Sequence, residues 1–181
     1  MPKMGTIVMV VLIGAAVAYA VWSTRTSFVI RAEREIDASA DEVWDVLVDR
    51  ESYPRWNPFV VSSTGPLAEG ATITNVLADT KGSTTTFTPT VLTVSENREF
   101  RWQGKFWVSG VFDGEHFFTI DDAGPGRVRL VQEEHFRGLA VPPMRAMLRK
   151  DTLAQFRAMN DALAHEVHRR SASVTTVSDE N

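Results

Sequence analysis

The stretch DASADEVWDVLVDRESYPRWNPF, residues 37–59, contains a helix start, a helix and a proline-bounded corner, and its reading decides the fold. Ser39 stands where an N-cap belongs, and Glu42 three residues later completes a capping-box pattern. Asp41 and Glu42 also place negative charge at the positive end of the helix dipole. Val43, Trp44, Val46 and Leu47 supply a buried face, so a helix is expected to end near Asp49. Pro54 and Pro58 bias Tyr53 and Asn57 towards extended geometry, which predicts a corner leading into the next strand rather than a catalytic loop. In that corner Asn57 is expected to bond local backbone, Arg55 to face solvent and Trp56 to pack inward at the mouth of a cavity.

Outward from this stretch the periodicities are those of strands. Residues 27–36 alternate, with Phe28, Ile30 and Ile36 as apolar positions. After the corner come strand-like runs at 60–64, 72–78, 84–94, 99–108, 111–120 and 127–136, separated by Gly65-Pro66, Gly82, Asn97, Ser109-Gly110 and Gly124-Pro125-Gly126. Pro142-Pro143 then precedes a helix predicted over 144–168, about 37 Å long, with Met144, Leu148, Phe156, Met159, Leu163 and Val167 along one stripe. This order predicts an α+β domain of about seven antiparallel strands, its curved sheet wrapped around the long C-terminal helix, with room for a cavity between them.

The helix-and-corner stretch, together with Trp102, Gly114-Glu115-His116, the run from Glu133 to Gly138 and the Phe156, Met159, Asn160 and Leu163 helix positions, resembles the SRPBCC superfamily. This is the helix-grip fold of START domains and polyketide cyclases. The resemblance spans residues 27–170 and implies binding of a hydrophobic molecule in an internal cavity. It implies no single activity, because that superfamily contains carriers, cyclases, receptors and chaperone activators, and no catalytic motif carries over residue by residue.

Alternation identifies the face that would line such a cavity. Phe100, Trp102, Gly104 and Phe106 point to one side, and Glu99, Arg101, Gln103 and Lys105 to the other. Phe112, Gly114, His116, Phe118 and Ile120 share the inner face, as do Val128, Leu130, Gln132, Glu134 and Phe136. Three polar groups, His116, Gln132 and Glu134, thus fall on an apolar wall. With tight hairpins, Trp102, His116 and Gln132 lie side by side and Glu134 one step along. A buried polar group left unsatisfied costs about 1 to 3 kcal/mol, so these three either pair internally or orient a ligand. The candidate ligand contacts are Trp56, Phe100, Trp102, Phe112, His116, Phe118, Gln132, Glu134, Phe136, Phe156 and Met159.

Catalysis is a further step. His116 and Glu134 could serve as general base and acid in a cyclisation or dehydration. The sequence has no Gly-x-Ser-x-Gly elbow, phosphate-binding glycine loop or HExxH pair. Alternation sends Glu133 and His135 away from Glu134, so no metal site and no bound cofactor are expected. His165 and His168, with Arg169 and Arg170, are expected to serve the negative end of the last helix.

Residues 5–22 form a run of 18 without a charge, preceded by Lys3 and followed by Arg25, Arg31 and Arg34. Such a run is expected to enter a membrane, as an uncleaved single-pass anchor or as a signal segment cut after Ala18-Tyr19-Ala20. The anchor reading is preferred, because Val21 and Trp22 prolong the apolar run and Trp suits the membrane interface. The arginines after it place the domain on the cytoplasmic side; cleavage would instead give a secreted protein. The division is therefore 1–24 anchor or signal, 25–170 domain, and 171–181 a polar tail expected to be disordered. A formal net charge of −4 gives no basic stripe for nucleic acid, and the absence of cysteine excludes disulfides and thiolate chemistry. Three functions stay open: a tethered binder of a small hydrophobic or lipid-like molecule, a cyclase or dehydratase, and a tethered protein-interaction module.

Overall fold

The computed structural model describes residues 4–106 and 108–178. In chain order its elements are α1 (Met4–Arg25), β1 (Phe28–Ile36), α2 (Ala40–Val48), α3 (Tyr53–Trp56), β2 (Val60–Thr64), β3 (Thr74–Ala78), β4 (Thr84–Phe87), β5 (Thr90–Ser95), β6 (Glu99–Phe106), β7 (Phe112–Asp122), β8 (Val128–Arg137) and α4 (Val141–Ser178). The antiparallel sheets and the long last helix packed on them are those of an α+β helix-grip domain.

The capping box that opens α2 is formed in full. The Glu42 amide donates to Ser39 Oγ at 3.3 Å, and the Ser39 amide donates to Glu42 Oε2 at 2.9 Å. The corner after it departs from expectation, because Tyr53 takes helical geometry and Tyr53–Trp56 forms a short helix. Pro54 sits in the first turn, where a missing N–H costs nothing. Burial of the Tyr53 ring, its hydroxyl donating to Leu47 O at 2.6 Å, holds that geometry against the pre-proline bias. Asn57 is extended as expected, and its Oδ1 accepts from the Phe59 and Val60 amides.

Among the described residues eight strands form, in place of about seven, and they pair as two sheets: β1-β8-β7-β6-β5 and β2-β3-β4. Pro89 causes the split, since it has no N–H to give a ladder and divides the expected 84–94 strand into β4 and β5. The two sheets are stitched where Ile73 N donates to Pro89 O at 3.0 Å and Val91 N to Ala71 O at 2.8 Å. The strand expected over 99–108 is seen to Phe106; Trp107 lies outside the described residues.

Helix α4 buries Leu148, Phe156, Met159, Leu163 and Val167, most of the expected stripe, over β1, β8 and α2. It continues past Arg170, so the segment expected to be a disordered tail is helical to Ser178, and residues 179–181 lie outside the described residues. No Gly or Pro follows Pro143 to stop it, and Ser171 Oγ donates to Glu42 Oε1 at 2.8 Å, tying it to α2. His165 and His168 are therefore exposed mid-helix residues rather than groups at its negative end.

Helix α1 is apolar and exposed along nearly its whole length, with the size and position of either an anchor or a signal segment. Its last turns are fastened to the domain. Tyr19 donates to Leu139 O at 2.9 Å, Gly138 N to Ser23 O at 3.1 Å, and Ser23 is buried.

Candidate functional site

Alternation in β6, β7 and β8 delivers the inner face as expected, but the register differs by two residues. Trp102, His116 and Glu134 form one row, and Gln132 stands opposite Phe118. The five-residue turn between Asp122 and Val128 is longer than the tight hairpin assumed from sequence. A two-residue shift keeps every side chain on its face and changes only its neighbours.

The row is closely packed. The His116 ring stacks on Trp102 with centroids 4.5 Å apart and planes at 7°, and Phe156 meets it edge-on at 4.9 Å. His116 Nε2 lies 3.2 Å from Gln132 Nε2, and His116 Nδ1 lies 3.6 Å from Glu134 Oε2. Gln132 Nε2 also reaches Met159 Sδ at 3.5 Å, while Gln132 Oε1 is buried without a partner among the described residues. The two ring nitrogens of His116 thus face different partners, Nε2 the Gln132 amide and Nδ1 the Glu134 carboxylate.

In front of this row lies a cavity of about 180 Å³ between sheet and α4. The sheet supplies Trp102, Phe112, Glu134 and Phe136; the second sheet supplies Leu77 and Phe87; and α4 supplies Leu148, Thr152 and Gln155, with Phe59 entering from the corner. Gly104 and Gly114 form a cross-strand pair in the wall. A Cβ on Gly114 would stand 2.5 Å from Glu134 Oε1, so the carboxylate occupies the space that a side chain would fill. Gly104 does the same for the Phe87 ring, which a Cβ would meet at 3.1 Å.

Of the candidate residues, Trp102, Phe112, Glu134 and Phe136 line this cavity. His116, Gln132, Phe100, Phe118, Phe156 and Met159 are buried behind it, as its backing rather than its surface. Trp56 is elsewhere: its indole donates to Ser52 Oγ at 2.9 Å and borders a groove with Ala162, His165 and Arg169 on α4. The helical turn at Tyr53–Trp56 directs the ring there, so Trp56 does not stand at the cavity mouth.

Lys105, expected on the outer face, also lines the cavity, and with it Phe59, Leu148, Leu77, Phe87, Thr152 and Gln155 were not among the candidate contacts. The last two follow Leu148 at i+4 and i+7, so helical spacing could have found them. Leu77 and Phe87 could not be found that way, because the placement of the second sheet is not periodic information. Among the described residues no cluster of three His, Asp or Glu side chains is placed to hold a metal ion.

A sheet gripping a long helix, with a pocket between them that carries one carboxylate, defines a helix-grip domain of the kind built around an internal cavity. Residues 27–168 match the family described as polyketide cyclase / dehydrase and lipid transport, and the chain belongs to that family. Among solved structures, the Zhui aromatase/cyclase from Streptomyces sp. R1128 aligns with a TM-score of 0.66 at 18% identity, over 81% of this chain and 96% of that one. A START superfamily protein from Mycobacterium smegmatis aligns at 0.62 and 22% identity, over 80% and 99%. Norcoclaurine synthase from Thalictrum flavum, solved with dopamine and hydroxybenzaldehyde, aligns at 0.63 and 14% identity, over 84% and 92%. These likenesses establish the fold. No curated protein matches the sequence.

Proposed function

We propose that this protein is a membrane-tethered domain that binds a small hydrophobic or lipid-like molecule, with α1 as an uncleaved anchor and the domain on the cytoplasmic side. The observation that carries the binding reading is the cavity: apolar walls of Trp102, Phe112, Phe136 and Leu148 around the Glu134 carboxylate. Its 180 Å³ is below the roughly 300 Å³ at which typical small-molecule pockets begin. That size suits one ring or a short chain segment carrying a hydrogen-bond donor for Glu134. The tether reading rests on the charge-free run of 18 residues and on the arginines that follow it.

Native mass spectrometry of the full chain, released gently from detergent, tests the binding reading. The expected result is a mass increment from a co-purified apolar molecule; the bare mass alone, in repeated gentle preparations, would overturn it. Sequencing the N-terminus of the mature protein tests the tether, since a chain beginning at Val21 has lost its anchor.

The His116–Glu134 pair favours a second reading as a cyclase or dehydratase. Glu134 is the member that can touch a substrate, and His116, 3.6 Å behind it, would orient the carboxylate and exchange a proton with it. The two readings part on whether the bound molecule is recovered unchanged or converted.

A further inference from the structure

We infer that the domain sits directly on the bilayer, with the end carrying the β6–β7 and β8–α4 loops at headgroup depth against an anionic lipid surface. This rests on the reading of α1 as an anchor and adds to it an orientation and a lipid chemistry.

Length carries the argument. Residues 5–22 as a helix extend about 27 Å at 1.5 Å per residue, slightly less than the roughly 30 Å of a hydrocarbon core. All of that run is needed to cross. Yet the domain already grips the helix inside that run, at Tyr19 through Leu139 O, and again one residue beyond it, where Gly138 N donates to Ser23 O. Two residues separate Arg25, the end of α1, from Phe28, the start of β1, so no slack allows the domain to hang away from the surface. A helix that spans the bilayer must therefore draw the loop at Leu139 down to the interface.

The surface at that end is suited to such a place. The β6–β7 and β8–α4 loops are joined, Leu139 N donating to Gly110 O at 3.0 Å and Ala140 N to Val111 O at 2.9 Å. They present Val108, 68% exposed, and Leu139, and the adjoining first turns of α4 present Met147, 51% exposed. Beside them the Arg145 guanidinium lies 5.4 Å from the Trp22 ring and 5.5 Å from Phe28, and that of Arg149 lies 5.7 Å from Phe28. Neither arginine has a carboxylate partner among the described residues. Apolar side chains beside unpaired guanidinium groups at an interfacial Trp match acyl chains below anionic headgroups. Phe112 and Phe136 of the cavity wall stand at the ends of β7 and β8 beside these loops, so a membrane-derived ligand would have a short path to the cavity.

The chain has no cysteine, so single labels are clean. V108C, L139C and, in the β7–β8 turn at the far end of the sheet, P125C would each carry a nitrobenzoxadiazole fluorophore in the full chain. Each is reconstituted into vesicles of phosphatidylcholine and phosphatidylglycerol, with circular dichroism confirming the fold. The expected result is co-flotation of all three, with labels at 108 and 139 blue-shifted and quenched by nitroxide lipid while the label at 125 stays in water. Flotation with all three labels equally aqueous would overturn the seating and leave the anchor standing. Loss of flotation would overturn the anchor and the seating together. Adding R145Q and R149Q should weaken quenching at 108 and 139 in the phosphatidylglycerol vesicles; equal quenching with and without them would overturn the anionic preference.

Discussion

At Gly114 the absence of one carbon sets the position of a charge. Glu134 Oε1 rests 2.5 Å from where a Cβ would stand, and the carboxylate thereby reaches the cavity from a strand face that is otherwise buried core. Gly114→Ala must push the carboxylate aside at a flexible side-chain end, so the fold should survive at a cost of about 1 kcal/mol, the low end for added volume. If Glu134 anchors the ligand, affinity should fall about tenfold, the loss of one charge-assisted hydrogen bond. Glu134→Gln should lower it similarly. Titration with the molecule recovered by mass spectrometry checks both; unchanged affinity in both variants would remove the carboxylate from recognition. Alternation made the inner-face membership of Gly104, Gly114, His116 and Glu134 legible in the sequence, because period two needs no knowledge of neighbours. Which of them would meet the cavity was not legible. Depth behind Phe156 and Met159 depends on where α4 crosses the sheet.

Among the elements, α4 and α2 are held at one end by a charged latch. Arg169 and Arg170 both bond the Glu166 carboxylate, and Arg170 also reaches Asp49 Oδ2 at 2.7 Å, just past α2. The hydrogen bond from Arg169, with that from Arg170 and both positive charges, lowers the Glu166 carboxyl to about 2 against a partial opposing effect of burial. A folded pKa below the unfolded one means stability that is fully present above about pH 4.5 and lost as pH falls towards 2. Glu166→Gln should therefore cost about 1 to 2 kcal/mol at pH 7, reduced from the full shift because Arg169 is solvent-exposed. The difference in melting temperature between variant and parent should shrink steadily below pH 4.5; a constant difference across that range would assign the loss to packing. The helix starting at Ser39 and the stripe of α4 were legible, since capping chemistry and 3.6 periodicity are local. The end of α4 was not, because a serine- and threonine-rich run has weak helix preferences.

For the whole molecule the question is whether the gap between sheet and helix is a binding site or loose packing. The two-sheet arrangement follows from Pro89, whose position was visible in the sequence. How far β3 and β4 then stand from α4 depends on contacts distant in sequence, such as Gln155 Nε2 donating to Ala78 O at 2.6 Å. That spacing, and not any motif, creates the cavity. Leu148→Trp places a larger side chain into it from α4, where Leu148 is buried and forms part of the wall. Filling a cavity commonly stabilises by about 0.5 to 2 kcal/mol when the added ring fits. The expected outcome is a folded protein, its melting temperature equal or raised, that no longer carries the co-purified mass. A variant that retains the bound molecule at full occupancy would show that the ligand lies elsewhere. Loss of both ligand and fold would be separated by Leu148→Ala, which enlarges the space: a binding site should then accept a larger molecule, whereas loose packing should merely lose about 2 to 5 kcal/mol.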